Sequence, residues 1–392
     1  MAVLDFLETQ IQALRASGLY RNPDDGNDRL RVIENARALN ADFIDASSNN
    51  YLDRSDYLPD VSRETPFSVS PGQFARLGAG ASRLIHGTRP EHSELEAHLS
   101  QWVGQEKALL FSSGYAANVG VISALAQPDD LIISDELNHA SIIDGCRLAR
   151  AQIRITAHRD TCAIESALLA NAATRRCWVV TESYFSMDGD SPDLRAIRLL
   201  CDKHGAAMVV DEAHALGVFG PEGSGLCAAN HVNADVLIGT FGKALGAQGA
   251  FVASSRVARD WLWNRARSFV YSTAMSPLLA TSIAANVRSV RSDNEARTRL
   301  RCMASWFRSV LDANQIPVTA HSHGPIIPIL YSDPTLATKA AASLGRLGIL
   351  AQAIRPPTVP ENSSRIRLTL HAGLDQSQLE RLAKSVIQTC TP

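Results

Sequence analysis

Short apolar runs recur along the chain, and polar or glycine-rich segments separate them. Each run is too short for a helix and is typical of a strand that is buried on both faces. Between the runs, apolar residues return at every third or fourth position, which is the spacing of an amphipathic helix. The predicted strands cover residues 108–111, 131–134, 177–183, 208–211 and 236–238. This alternation predicts an α/β fold, with a mainly parallel sheet that helices cover on both faces.

The segment after Tyr271 has a different texture from the alternating region. It is helical and Arg-rich as far as Leu311, and the tail then supplies short strands and a final helix. These strands are predicted at residues 326–330, 349–354 and 366–370. A helix with apolar residues Leu7, Ile11 and Leu14 on one face begins the chain. We therefore predict an N-terminal helical arm (1–45), a large domain (46–277) and a smaller α+β C-terminal domain (278–392).

Capping residues predict the limits of two helices within the large domain. Pro90 begins one of them, and Gly104 stops it. Ser191 and Pro192 begin the other, which ends at Gly205. Proline is tolerated in a first helical turn, and glycine is common just past the last one.

Polar side chains follow two of the predicted strands. Asp211 and His214 follow the strand at 208–211, while Thr240 and Lys243 follow the strand at 236–238. Ligands of open α/β sheets bind beyond the carboxyl ends of the strands, so these residues are expected to meet. Asp211 alone is typical of a helix N-cap, and a lone lysine is typical of a surface. Together, a carboxylate and a lysine predict a pyridoxal phosphate (PLP) site.

Two further strand ends carry candidate residues for the same site. Ser113 and Gly114 open a predicted helix, whose free N–H groups and dipole favour a phosphate. His139 follows the strand at 131–134, and its ring is suited either to pack against a planar cofactor or to cap the next helix. Asp135 lies near His139, but no third ligand has a recognisable spacing. We therefore predict no metal site.

Composition narrows the range of functions. The chain has 392 residues, of which 45% are hydrophobic and 20% charged, as in ordinary globular proteins with two or three domains. Its 38 basic and 40 acidic residues leave a net charge of −2, so no general attraction to nucleic acid or membrane is expected. The seven cysteines lack a C-x-x-C pair, and no signal peptide or long apolar segment is visible. These features predict a cytoplasmic protein with reduced thiols.

The string DEAH at residues 211–214 is also the signature of a class of nucleic-acid helicases. Such an enzyme needs a phosphate-binding loop of the form G-x-x-x-x-G-K-[ST] before it. The string GTFGKA has the wrong spacing, ends in Ala244 and follows DEAH rather than preceding it. The NTPase alternative is therefore disfavoured.

Seven motifs in a fixed order, which span nearly the whole chain, carry a family resemblance. They are SSGYAAN, LNHASIIDG, TESYFSMDGD, VVDEAHALGVFG, GTFGKALG, VYSTAMSP and IRPPTVP. This series resembles the α-oxoamine synthase family of fold-type I PLP enzymes. The resemblance implies that fold, PLP as cofactor and a homodimer.

The resemblance also implies which residues form the site. Lys243 would carry the cofactor, Asp211 would pair with the pyridine nitrogen, and His139 would stack on the ring. Together with His214, these residues form the predicted catalytic set. Thr273 would reach the phosphate of the other subunit. The implied cofactor-binding residues are Ser113, Gly114, Tyr115, His139, Ser186, Asp211, His214, Thr240, Lys243 and Thr273.

The implied reaction is the decarboxylative condensation of a small amino acid with an acyl thioester. The YSTAMSP segment and the tail IRPPTVPENSSRIRLTL favour the biotin branch of the family, with L-alanine and a pimeloyl thioester of coenzyme A or acyl carrier protein. Arg21, Thr358 and Arg367 are the implied substrate residues. His86 and Arg89 depart from the pattern of that branch and leave the acyl donor open.

Several alternatives share part of this chemistry. Within the family, 2-amino-3-ketobutyrate CoA ligase, 5-aminolevulinate synthase and serine palmitoyltransferase use the same cofactor with other substrates. A PLP aminotransferase would release a keto acid and need no thioester.

Overall fold

The computed structural model describes residues 4–17, 20, 28–55, 77–170, 176–331, 333–356 and 358–390. The predicted substrate residue Arg21 lies outside the described residues. The chain divides into two compact units. The large unit contains Asn49–Ser186 and Asp190–Arg299, and the small unit contains Met1–Ser48, Met187–Gly189 and Leu300–Pro392.

The α-helices are numbered in chain order. They are α1 (Asp5–Ala16), α2 (Asp28–Ala38), α3 (Pro90–Trp102), α4 (Gly114–Leu125), α5 (Ala140–Ala149), α6 (Thr161–Ala170), α7 (Leu194–His204), α8 (Leu226–Ala229), α9 (Arg256–Arg265), α10 (Arg267–Val270), α11 (Pro277–Ser292), α12 (Asn294–Ala313), α13 (Pro334–Arg346) and α14 (Gln376–Cys390). A π-helical turn covers Arg83–Gly87, and a 3-10 turn covers Pro221–Gly223. No helix in the described part of the chain is long and apolar enough to cross a membrane.

The strands are also numbered in chain order. They are β1 (Ile44–Asp45), β2 (Lys107–Phe111), β3 (Leu131–Asp135), β4 (Gln152–Thr156), β5 (Cys177–Glu182), β6 (Ala207–Asp211), β7 (Val236–Thr240), β8 (Ala250–Ser254), β9 (Ile326–Leu330), β10 (Ile349–Leu350), β11 (Gln352–Ile354) and β12 (Arg365–Thr369).

Strands β2 to β8 form the central sheet of the large unit, in the order β2-β8-β7-β6-β5-β3-β4. Strand β8 runs antiparallel to both of its neighbours, β2 and β7, and the other pairs are parallel. This mainly parallel sheet confirms the predicted α/β class. The edge strand β4 and the antiparallel β8 were not predicted from the sequence.

The central strands are buried along almost their whole length, as their unbroken apolar runs predict. Met208 and Val210 on β6 have 0% exposure, and Ile238 on β7 has 1%. Helices α4 and α5 pack closely against each other, because a Cβ atom added to Gly145 would lie only 3.0 Å from the Asn118 carbonyl oxygen. This close approach brings side chains at the start of α5 within reach of α4.

The small unit contains two smaller sheets. Strand β12 pairs in antiparallel fashion with β11 and β9, and β1 pairs in parallel with β10. Residues 349–354, predicted as one strand, therefore form two strands that belong to different sheets. The backbone N–H of Thr369 also donates to the Ala46 carbonyl oxygen at 2.8 Å. Both ends of the chain thus contribute to this unit.

One predicted helix boundary lies elsewhere in the structure. Helix α7 begins at Leu194 rather than at Ser191 and Pro192, because the Asp193 side chain caps it by accepting the Ala196 N–H. The compact units divide after Ser48 and Arg299 and on either side of Met187–Gly189, and the domain bounds 45 and 277 stay a prediction. The N-terminal segment groups with the C-terminal one, because β1 pairs with β10.

Candidate active site

Four adjacent strands of the large unit, β3, β5, β6 and β7, each end in a polar residue. Asp135 ends β3, Glu182 ends β5, Asp211 ends β6 and Thr240 ends β7. Glu182 lies directly beside Asp211 in the parallel register of β5 and β6. Because the carboxyl ends of parallel strands meet at one edge of the sheet, this edge holds the candidate site.

Asp211 is buried, and both of its carboxylate oxygens accept hydrogen bonds. The Asn118 side-chain amide donates to Oδ2 at 2.7 Å, and the Ala213 N–H donates to Oδ1 at 2.8 Å. Asn118 lies on α4 and also donates to the Ser141 hydroxyl oxygen at 2.9 Å. The carboxylate is therefore held in one orientation, as a partner for a cationic ring nitrogen requires.

His139 is the N-cap of α5, and three contacts fix its position. Its Nδ1 accepts the Ser141 backbone N–H at 3.2 Å and lies 2.7 Å from the Ser141 Oγ. Its own backbone N–H donates to Glu182 Oε1 at 2.7 Å. Since Nδ1 accepts a backbone N–H, a neutral ring carries its proton on Nε2.

The charge state of His139 follows from its surroundings. Burial lowers the pKa of His139, the Asp211 carboxylate acts in the opposite direction, and the charge of Lys243 adds to the lowering. The imidazole is therefore neutral near pH 7. The charge of Lys243 also acts on Glu182, so the lysine lies within electrostatic range of both His139 and Glu182. His139 therefore caps helix α5, as one of the two predicted alternatives states, and it also lies near Asp211 and Lys243.

Glu182 is a fully buried carboxyl group that the sequence analysis did not single out. Burial and the adjacent Asp211 raise the pKa of Glu182 to about 8, although Lys243 acts to lower it. The signal for Glu182 was present in the sequence, because it ends a buried strand in the same way as Asp211. Asn118 and Ser141 were not singled out either, although they lie within the motifs SSGYAAN and LNHASIIDG.

His214 lies buried three residues beyond Asp211. Its Nδ1 lies 2.7 Å from the Tyr51 hydroxyl, and the two rings meet edge to face at 6.1 Å. Tyr51 itself has 0% exposure. This tyrosine, another residue that the sequence analysis missed, orients the imidazole.

Lys243 follows β7 within a tight turn. Its carbonyl oxygen accepts the Gly246 N–H at 2.9 Å. The side chain is half-buried. Thr240 donates its hydroxyl to the Gly249 carbonyl oxygen at 3.0 Å and accepts the Gly242 N–H at 3.2 Å. These bonds hold the turn that carries the lysine.

The start of α4 lies next to Thr240. Ser113 is the N-cap, and its hydroxyl accepts the Ala116 N–H at 3.1 Å. A Cβ atom added to Gly114 would lie 3.8 Å from both Cβ and Oγ1 of Thr240. The helix N-terminus and the end of β7 therefore form one concave polar surface, which suits a phosphate group.

The remaining predicted residues of the large unit lie in varied settings. Tyr115 is 48% exposed, and its hydroxyl donates to Asp144, which raises the tyrosine pKa. Ser186 is half-buried in the loop after β5. Thr273 is exposed and lies opposite Ser82 in an isolated antiparallel bridge.

His86 and Arg89 lie at the π-helical turn and the start of α3. His86 is exposed, whereas Arg89 is half-buried and is the N-cap of α3. Between them, Thr88 donates its hydroxyl to the Arg83 carbonyl oxygen at 2.8 Å. The buried Arg83 guanidinium pairs with Glu96 at 2.8 Å, so this segment has a charged internal anchor.

Within the small unit, Thr358 lines a cavity of about 810 Å³. Arg29, Arg31, Arg346 and Arg355 also line it. Arg367 does not line this cavity. It is buried on β12, where its Nη1 donates to the Thr369 hydroxyl at 3.2 Å. Arg355, in the motif IRPPTVP, was not singled out from the sequence.

No metal centre is found within the described ranges, where no group of three or more His, Cys, Asp or Glu side chains could hold an ion. Six cysteines are free thiols, namely Cys146, Cys162, Cys177, Cys201, Cys227 and Cys302.

Comparison with family models gives a match over residues 41–386. The matching family is described as aminotransferase class I and II.

Curated proteins of similar sequence extend over almost the whole chain. An 8-amino-7-oxononanoate synthase from Anaeromyxobacter sp. (strain K) is 42% identical, with 96% of this chain and 93% of the relative covered. A protein of the same name from Chlorobaculum parvum is 39% identical, with 98% and 99% covered.

Solved structures of similar fold include serine palmitoyltransferases. One from S. paucimobilis, with a bound PLP–myriocin aldimine, has a TM-score of 0.84 and 26% identity, and covers 98% of this chain and 97% of its own. An 8-amino-7-oxononanoate synthase from Francisella tularensis has a TM-score of 0.72 and 24% identity, and covers 88% and 97%. At that identity, the second likeness concerns the fold alone.

Proposed function

Since the chain belongs to the aminotransferase class I and II family and, within it, to the α-oxoamine synthases, we propose that it is the 8-amino-7-oxononanoate synthase of biotin biosynthesis. The family resemblance of the sequence motifs is confirmed, and the chain is an enzyme of the acyltransferase type. One observation carries the proposal. A series of hydrogen bonds runs from Asp211 through Asn118 and Ser141 to His139, and the charge of Lys243 acts on the His139 ring.

The residues at the carboxyl edge of the sheet fit PLP. An oriented, buried carboxylate at Asp211 suits a protonated pyridine nitrogen, and the neutral ring of His139 suits a planar aromatic partner. The N–H groups at Gly114, with Ser113 and Thr240 beside them, suit a phosphate. Lys243 supplies the amine that binds the cofactor covalently.

When bound, PLP supplies an electron sink that makes the α-carbon of an amino acid nucleophilic. In our proposal, Asp211 holds the proton on the pyridine nitrogen, which the sink requires. The amine of Lys243, in its neutral form, would remove the α-proton of the bound amino acid. L-alanine then gains the pimeloyl group and loses carbon dioxide, while the thiol of the donor leaves.

His214 is the proposed hydrogen-bond donor to the carbonyl oxygen that develops negative charge. Its Nδ1 contact with Tyr51 fixes the ring plane. Such a donor contributes about 10²–10³ in rate where it has been removed from other enzymes.

We assign the acyl thioester to the arginine-lined cavity of the small unit on chemical grounds. A pimeloyl thioester of coenzyme A or carrier protein carries a free carboxylate and phosphate groups. Guanidinium groups bind both kinds of anion through paired hydrogen bonds. The four arginines and Thr358 that line this cavity support that assignment, with Arg21 retained as a proposed contributor.

The proposed partners and location complete the description. The enzyme works as a homodimer in which Thr273 reaches the phosphate at the other subunit's site. It works in the cytoplasm, in keeping with its reduced thiols.

The function is tested by product analysis. The purified protein is supplied with PLP, L-alanine and pimeloyl-CoA or pimeloyl carrier protein, and mass spectrometry is used to look for 8-amino-7-oxononanoate. We expect this product with one free thiol per turnover. Lys243→Ala, the matched control, should yield none, because it lacks both the covalent attachment and the base.

Other outcomes would identify a relative instead. The fold likeness to serine palmitoyltransferases makes L-serine with palmitoyl-CoA the first alternative pair to try. A preference for glycine with acetyl-CoA or succinyl-CoA would indicate the remaining family members. Release of a keto acid without consumption of any thioester would indicate an aminotransferase and reject the proposal.

A further inference from the structure

Two buried carboxyl groups lie side by side at the centre of the candidate site. Glu182 and Asp211 end neighbouring parallel strands and are direct register partners. Residues aligned in this way direct their side chains to the same face of the sheet. Glu182 is 4% exposed and Asp211 is 6% exposed, so water screens neither group. Two full negative charges on neighbouring strands, in a site from which water is largely excluded, would repel each other strongly.

The hydrogen bonds of the pair are unequal. Asp211 accepts an N–H on each oxygen, from Asn118 and from Ala213. The Glu182 carboxyl group has one hydrogen bond in the described part of the chain, in which Oε1 accepts the His139 N–H. Donors stabilise the ionised form of a carboxyl group, so the negative charge belongs on Asp211 and the proton on Glu182.

Glu182 and Asp211 reach the same residue by different routes. Glu182 binds the backbone of His139 directly, at the point where α5 begins. Asp211 reaches the His139 ring through Asn118 and then Ser141. The backbone and the ring of His139 are thus fixed separately, and Glu182 supplies the backbone half.

The charges that face Glu182 come from three neighbouring elements. Burial is the largest cause that raises the pKa of Glu182, and Asp211 on β6 and Asp135 on β3 raise it further. Lys243, in the turn after β7, lowers it, and the His139 N–H does the same. The net result is a pKa of about 8, which is above the usual range of a glutamate.

We propose that Glu182 is a positioning residue that acts as an uncharged carboxylic acid, holding the backbone of His139 while Asp211 carries the negative charge of the pair. The protonation state is a property of the folded chain itself. Its consequence for catalysis rests on the proposed function, since it concerns how His139 and Asp211 are presented to the cofactor.

The protonation state is tested on the protein without cofactor. Urea unfolding of the wild type and of Glu182→Gln is measured at intervals from pH 5.5 to 9.5. A glutamate that is neutral when folded and ionised when unfolded loses stability as pH rises between its two pKa values. We therefore expect the folding equilibrium constant of the wild type, relative to the variant, to fall about tenfold per pH unit up to pH 8.

The control is Glu165→Gln, which removes a partly exposed glutamate paired with Lys203. The hydrogen bond to Lys203 lowers the pKa of Glu165, so this glutamate is ionised in both the folded and the unfolded protein. The folding equilibrium constant of the wild type relative to Glu165→Gln should therefore stay constant over the same pH range. An equally flat ratio for Glu182→Gln would mean that Glu182 is ionised in the folded protein, and the proposal would be rejected.

A second measurement covers the case in which Glu182→Gln does not fold. Infrared spectra of the wild type should contain the carbonyl band of a buried protonated carboxyl group at pH 6.5, and the band should vanish by pH 9.5. Absence of the band at pH 6.5 overturns the proposal. Neither measurement depends on turnover, so both stand if the proposed reaction is wrong.

The positioning role is tested on the PLP-loaded enzyme. Glu182→Ala removes the acceptor for the His139 N–H and should lower kcat about tenfold or more, with a smaller change in KM. Glu182→Gln keeps an acceptor oxygen at the same place and should recover most of that loss at pH 7. Equal losses in the two variants would show that the charge of Glu182 is needed, contrary to the proposal.

Discussion

At the scale of single residues, His158 shows how a titratable group can join two loops of the large unit. Its Nδ1 lies 3.0 Å from Asp135, and its Nε2 lies 3.1 Å from Asp190. Asp135 also accepts the Leu137 N–H at 2.9 Å, which shapes the loop leading to His139. A protonated His158 therefore stabilises the segment that delivers the candidate ring.

This contact predicts a pH dependence of stability. Burial alone lowers the pKa of His158, but the hydrogen bonds to Asp135 and Asp190 outweigh it and raise the pKa to about 9. A raised pKa of this kind gives stability that is complete below the unfolded value of about 6.5 and is lost as pH rises toward 9. The folding constant of the wild type relative to His158→Gln should fall about tenfold per unit over that range. Urea unfolding at a series of pH values measures it, and a pH-independent ratio would contradict the imidazolium bridge.

The sequence pattern predicts the residues of the candidate site that follow strands. Asp211, His139 and Lys243 are predicted because polar groups stand out at the ends of apolar runs. Asn118 and Tyr51 were not found, because their partners are 93 and 163 positions away along the chain. Only the packing of α4 against the end of β6, and of the segment around Tyr51 beside His214, creates those contacts.

At the scale of elements, the strands that alternate with helices were predictable and the others were not. Strand β4 is an exposed edge, so its residues form no buried run. Strand β8 follows β7 without an intervening helix, which breaks the alternating pattern. Residues 349–354 form two strands instead of one because β10 pairs with β1 and β11 pairs with β12. The local sequence does not reveal these partners.

The turn before α8 depends on a glycine. Gly225 has φ +100°, and a Cβ atom there would lie 2.5 Å from Glu212 Oε2. That carboxyl group accepts the Leu226 N–H at 2.9 Å and the Ser183 hydroxyl at 2.9 Å. An added methyl group would therefore strain the backbone and displace a buried acceptor.

We expect Gly225→Ala to lower the free energy of unfolding by about 3 kcal/mol or more. The matched control is Gly205→Ala, where φ is +65° and a Cβ atom meets nothing within 4 Å. Its cost should be about 1 kcal/mol, from the backbone alone. Urea midpoints give both values, and equal losses would show that the contact with Glu212 does not matter.

At the scale of the whole molecule, the proposed homodimer makes a prediction about shared sites. If each site combines Lys243 of one subunit with Thr273 of the other, Lys243→Ala and Thr273→Glu damage complementary halves. The exposed position of Thr273 makes the second change compatible with folding of the chain. In a hybrid dimer, one site contains both changes and the other contains neither.

We therefore expect a purified hybrid, obtained by co-expression with two different affinity tags, to recover about half of the wild-type activity. Both parent homodimers should be nearly inactive and serve as controls. A hybrid as inactive as its parents would place Thr273 in the same site as the lysine of its own subunit.

The pairing of β1 with β10 has a consequence for how the protein is made. Residues 44–45 leave the ribosome early, but their partners at residues 349–350 are translated about 300 positions later. All strands of the large sheet end by Ser254, so that sheet has its complete set of strands while synthesis is still under way. The first strand to be synthesised thus becomes one of the last to find its place, and the nascent chain must carry it unpaired for most of translation.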